Sequence, residues 1–203
     1  MKQEKKQNRA PKIEESLSYT VEVRDKKGRV IQRISAPSHS YVEQWNQLVQ
    51  CYARAAARLV KDTDGVEQNV TAANYLSMAA GVIGEDKYGI RVGKGTTAVA
   101  IDDYALGTPC DEGTGLNEFE HQAVTLTEPS VVGSTCSFTA KRILVNNSGV
   151  TISGIKEIGG YLMVYKSPAT YPSILGFRDV LPSAVYVPHG GSITVTYTMA
   201  VTV

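Results

Sequence analysis

The residues of this chain that could do chemistry are few, and their densest group is acidic. Asp102-Asp103, Asp111-Glu112, Glu118 and Glu120 fall close together on sequence that reads as loop. Loop carboxylates can hold calcium, which takes several oxygens at once. Asp102, Asp103, Asp111 and Glu112 are therefore the metal-binding candidates. Their order is not that of an EF-hand, and a solvated acidic loop is the simpler reading. The same carboxylates could supply the acid and base of a glycosidase, but no aromatic-lined groove is evident beside them. His39, His121 and His189 precede a helix, lie on a strand and sit in a turn. None has the His-x-His or His-x3-His partner that a zinc site needs. Cys51, Cys110 and Cys136 show no Cys-x-x-Cys spacing and read as free buried thiols of a reducing compartment. Gly93-Lys-Gly-Thr-Thr97 has the glycines and lysine of a phosphate loop, but Lys94 is followed by Gly95 and no helix follows. No Gly-x-Ser-x-Gly elbow occurs. The chain reads as a non-enzyme with no cofactor.

One pair of charges has a different character. Glu157 stands on an otherwise apolar strand with Ile155, Ile158 and Tyr161, and Arg178 is embedded in Phe-Arg-Asp-Val. A buried charge requires a partner. A Glu157–Arg178 pair across the sheet is the tertiary contact expected.

The elements that must position these residues are mostly strands. In the last strand, Ile193, Val195, Tyr197, Met199 and Val201 point one way and Thr194, Thr196, Thr198, Ala200 and Thr202 the other. That alternation marks a half-buried strand. Residues 18–34 read as a hairpin turning at Asp25-Lys-Lys-Gly28. Residues 40–61 read as one amphipathic helix. Ser40-x-x-Glu43 fits a capping box, and Tyr41, Trp45, Leu48, Tyr52 and Leu59 form its apolar stripe. Trp45, the single Trp, reads as a core anchor. Further strands are expected at 66–70, 88–92, 97–101, 119–126, 134–146, 151–165 and 174–181. Gly/Pro/Asn turns punctuate them, among them Asn146-Asn-Ser-Gly149, Gly159-Gly160 and Pro188-His-Gly-Gly191. The expected fold class is mainly β: an antiparallel β-sandwich or jelly-roll-like domain with one N-terminal helix.

Composition sets the outer bounds. At 203 residues, 42% of them hydrophobic, the chain can bury a sizeable core without staples. No stretch approaches the roughly 20 apolar residues needed to span a bilayer, and the start of the chain shows no apolar signal region. Without such a signal, the Asn-x-Ser/Thr matches at Asn69 and Asn146 are chance. Net charge is +1 but unevenly placed: residues 1–61 hold 13 basic against 6 acidic residues, and 62–203 hold 8 against 14. Residues 1–16 are polar and mildly basic, through Lys2, Lys5, Lys6, Arg9 and Lys12, and read as a flexible arm. Nucleic-acid arms carry more charge and more Arg than this. The organisation expected is the arm at 1–16, hairpin plus helix at 17–65, and a β-sandwich domain at 66–203, with 17–203 able to pack as one unit.

Two stretches carry a resemblance. One is Tyr88-Gly-Ile-Arg-Val-Gly-Lys-Gly-Thr-Thr-Ala-Val-Ala-Ile-Asp-Asp-Tyr-Ala-Leu-Gly-Thr-Pro109. The other joins Phe138-Thr-Ala-Lys-Arg-Ile-Leu-Val-Asn-Asn-Ser-Gly149 and Ile155-Lys-Glu-Ile-Gly159 to Arg178-Asp-Val-Leu181 and Val187-Pro-His-Gly-Gly-Ser-Ile-Thr-Val-Thr-Tyr197. Over residues 88–203 this pattern resembles β-rich structural proteins of tailed bacteriophages. The resemblance implies a virion component assembled in the host cytoplasm. A capsid-associated decoration or cement protein is the leading expectation. Its partners would be copies of itself and other virion proteins, with neither nucleic acid nor membrane among them. A tail or fibre module that stacks sugars on Tyr171, Tyr186 and Tyr197 is one alternative. A jelly-roll main coat protein is another.

Overall fold

The computed structural model describes residues 14–38, 40–74, 76–165 and 170–203. Among them the order is β1 (Glu14–Arg24), β2 (Val30–Ser38), α1 (Glu43–Arg54), β3 (Arg58–Lys61), β4 (Glu67–Val70), β5 (Leu76–Ser77), β6 (Gly89–Gly93), β7 (Glu120–His121), β8 (Thr125–Leu126), β9 (Ser130–Val132), β10 (Thr135–Val145), β11 (Ile152–Val164), β12 (Ser173–Val187) and β13 (Ser192–Thr202). The protein is mainly β and its sheets are antiparallel, consistent with a β-sandwich. The larger sheet runs β2-β1-β13-β10-β7, with β8 and β9 also pairing β10. The second runs β12-β11-β5, with β6 also on β11, and β3-β4 form a small ribbon.

Alternation in β13 builds the inner face of the larger sheet. Tyr19, Tyr197 and Ala140 share one cross-strand row, and Val21, Val195 and Arg142 the next. The second sheet meets this face through Phe177, whose ring lies 4.4 Å from that of Tyr197. The core runs continuously from Leu17 to Met199, so the β1–β2 hairpin shares sheet and core with the later strands. The opposite face of the second sheet is covered as well: Tyr161 and Leu175 pack there with Val42 and Leu106. Strand β11 is thus pressed from both sides. This explains Gly159-Gly160, which is no turn but the middle of β11. A Cβ at Gly160 would collide with the Phe177 ring, and one at Gly159 would sit 3.0 Å from Leu106 Cδ2.

The helix is shorter than its apolar stripe predicts. It ends at Arg54 because Ala55 adopts φ +50°, and its N–H bonds back to Tyr52 O. Residues 58–61, expected as the last helical turn, form β3 and pair with β4. Tertiary pairing overrides the helix propensity of Ala53–Ala57 here. The capping box also fails. Val42 is the N-cap and has no side-chain cap, while Ser40 Oγ donates to Asp179 Oδ1 at 2.6 Å. Residues 97–101 form no strand, and 119–126 breaks into β7 and β8. Residues 1–13 of the expected arm lie outside the described residues, and Glu14–Ser16 belong to β1.

Candidate functional site

The structure brings Glu157 and Arg178 together. Glu157 is fully buried and Arg178 nearly so. Strand register sets Arg178 opposite Gly159, two residues from Glu157 along β11, so both side chains share the outer face of the second sheet. Arg178 Nε and Nη2 each lie 3.0 Å from Glu157 Oε2. The pair does more than neutralise itself. Glu157 Oε1 accepts from the backbone N–H of Gly95 at 2.8 Å and Thr108 at 2.7 Å, and Oε2 accepts from Gly107 at 3.0 Å. Arg178 Nη1 donates to Asp103 Oδ2 at 2.8 Å and Nη2 to Thr97 O at 3.1 Å. Burial alone would lower the Arg178 guanidinium, but the Asp103 and Glu157 carboxylates reverse this and hold it above its ordinary value. The result ties the strandless 94–109 segment onto the sheet. Gly93 and Gly95 fit because a side chain at either would strike the Glu157 carboxylate.

The acidic metal candidates are dispersed by this arrangement. Asp103 is engaged by Arg178 and the Ala100 N–H, and Asp102 is exposed. Asp111 Oδ1 lies 3.2 Å from Arg91 Nη2. Glu112 Oε2 accepts from both the backbone N–H and Nδ1 of His121 at 2.7 Å. Among the described residues no group of three or more His, Cys, Asp or Glu could hold a metal ion. His189 Nδ1 accepts from Gly149 N, a turn-to-turn contact, and His39 lies outside the described residues. All three cysteines are free, and burial pushes the Cys110 thiol up to about 11. Tyr197 cannot stack on a sugar: it is fully buried, with its hydroxyl on Asp179 Oδ2 at 3.0 Å. Tyr171 and Tyr186 are exposed.

Two further buried polar residues, Arg142 and His121, stand out in the structure. Arg142 sits at an inward position of β10 and is fully buried. Its guanidinium donates to Gln122 O at 2.7 Å, Tyr88 O at 2.8 Å, Ile90 O at 3.2 Å, Val82 O at 3.0 Å and Glu85 O. Burial pulls it down to about 10, so it stays charged at neutral pH. It gathers the carbonyls of the 82–90 segment much as Glu157 gathers amides. His121 is the second. Nδ1 faces Glu112 and Phe119 O, while Nε2 is buried with no hydrogen-bond partner among the described residues.

One surface is left open by the core. Along β13 the inward side chains Ile193, Val195 and Tyr197 are fully buried, Met199 is 8% exposed and Val201 43%. Across the sheet, Glu15, Val201, Cys136 and Val131 share the last inward-facing row, and Val131 is 70% exposed. The core-facing side of the sheet therefore runs past its cover. It forms one wall of an apolar groove of about 340 Å³ that also takes in Phe138, Met199, Tyr41 and Trp45. Tyr41 and Trp45 stack at 4.9 Å with planes 23° apart. Burial, reinforced by the nearby Glu15 carboxylate, pushes the Tyr41 hydroxyl up to about 12.

The class these features define is a two-sheet antiparallel β protein with engaged interior charges and an unfinished sheet face. No protein-family model matches the chain, and no curated protein or solved structure matches it either.

Proposed function

We propose that this chain is a non-enzymatic structural protein of a tailed-phage virion, associated with the capsid as a decoration or cement protein and assembling as a homo-oligomer. The observation that carries this reading is the open groove at the end of the sandwich, where the inward row of the larger sheet continues from buried Tyr197 to exposed Val201. Contiguous exposed apolar surface beside a packed core is characteristic of an association site. The buried charges support the same reading, because Glu157, Arg178 and Arg142 all hold the chain's own loops. The sequence resemblance over residues 88–203 names the kind of assembly. Immunogold labelling of purified particles, with light scattering on the isolated protein, tests it. Labelled particles and an oligomer are expected. An enduring monomer absent from particles would sink the reading.

A further inference from the structure

The groove asks for a particular occupant. Its walls are apolar, and the Tyr41–Trp45 stack offers an aromatic face beside the Glu15 carboxylate. A ring face next to a carboxylate favours a cation carried on a short apolar segment. Residues 1–13 of this chain have that chemistry: Lys2, Lys5, Lys6, Arg9 and Lys12 against the single acid Glu4, with Ala10, Pro11 and Ile13 among them. They also enter the fold at the right place. Ile13 precedes Glu14, which pairs with Thr202 at the end of the sheet where the groove opens, and Glu15 lines the groove one row in.

We propose that the groove is filled by the N-terminal segment of a second copy, so that neighbouring protomers exchange residues 1–13. This rests on the homo-oligomer reading above. Glu14 holds the last register position of β1, opposite Thr202, so residues 1–13 join the fold at the open end of the groove. The covalent reach of thirteen residues is at most about 45 Å, which allows a neighbouring groove. Arg9 and Lys12 supply the cations that meet Glu15 and the Trp45 face.

Trp45 is the single Trp, so its emission reports occupancy of the groove directly. The test uses the full-length chain. Light scattering and Trp45 emission are followed together across protein concentration. The expected result is a mass rising above that of the 21.9 kDa chain, with a blue shift of Trp45 over the same range. Reversing the segment's charges (Arg9→Glu with Lys12→Glu) moves the midpoint about tenfold higher in concentration, a factor worth about 1.4 kcal/mol. Glu15→Lys does the same; Glu15 is exposed, and circular dichroism checks that the fold is kept. Combining the two reversals restores association. An oligomer whose midpoint ignores both reversals overturns the exchange. So does a Trp45 shift independent of concentration, which would put the segment in its own groove, and so does a chain monomeric throughout. Particle labelling reads the virion role separately: a labelled protein whose association ignores Arg9, Lys12 and Glu15 keeps that role and loses the exchange.

Discussion

Removing the Glu157 carboxylate strands three backbone amides and leaves Arg178 with Asp103 as its remaining carboxylate among the contacts described above. Breaking a buried ion pair from one side costs about 3–5 kcal/mol. Glu157→Ala and Arg178→Ala should each lose stability on that order in urea unfolding. The double variant should cost less than the two losses added. Two neutral single variants would refute the pair's structural role. His121 makes a separate prediction through pH. Burial first, and the Arg142 charge second, lower its pKa in the fold, against the opposing pull of Glu112. The unfolded chain keeps an ordinary value near 6.5. The unfolded state therefore takes up a proton first as pH falls. Stability is complete above about pH 6.5 and declines below it. Unfolding free energy measured from pH 8 to 5 should show this slope, and His121→Gln should flatten it. Glu157 and Arg178 were legible because each interrupts an apolar run. Arg142 occupies an inward position of its strand between Ala140 and Leu144, so the same signal marked it; its partners, being carbonyls, have no signature in residue type.

At the level of elements, local pattern succeeded where a strand alternates and failed where tertiary pairing competes. The two faces of β13 could be read from its sequence because every second residue is apolar, but not its pairing with β1 and β10. The end of α1 could not. Ala53–Ala57 favours helix, but Arg58–Lys61 gains a strand partner in β4, a contact no local window contains. Ser40 looked like a cap because its spacing to Glu43 is right; the carboxylate of Asp179, far along the chain, claimed it instead. Gly159-Gly160 looked like a turn because glycine usually punctuates, whereas here it admits the Phe177 ring and Leu106. The helix terminus offers a direct check. Ala55 carries the left-handed conformation that glycine adopts freely. Ala55→Gly should stabilise by about 0.5–1 kcal/mol and raise Tm by a few degrees. An unchanged or lower Tm would show that the terminus is held by something other than local backbone energetics.

Across the whole molecule, the larger sheet joins the two ends of the described chain. Strand β13 lies between β1 and β10, and the β1–β2 hairpin reaches that sheet through β13 alone. A chain stopped before Ser192 should therefore lack cooperative unfolding and near-ultraviolet circular dichroism, even with most of its residues present. Retention of both would mean that the second sheet folds by itself.

This placement also sets a clock on synthesis. The ribosome delivers the β1–β2 hairpin early, with Tyr19, Val21 and Val23 bare on one face, and reaches Ser192 only after most of the chain has been translated. At about 5–20 residues per second, the wait is on the order of eight to thirty seconds. For that time the nascent hairpin carries an apolar face that still lacks its β13 neighbour.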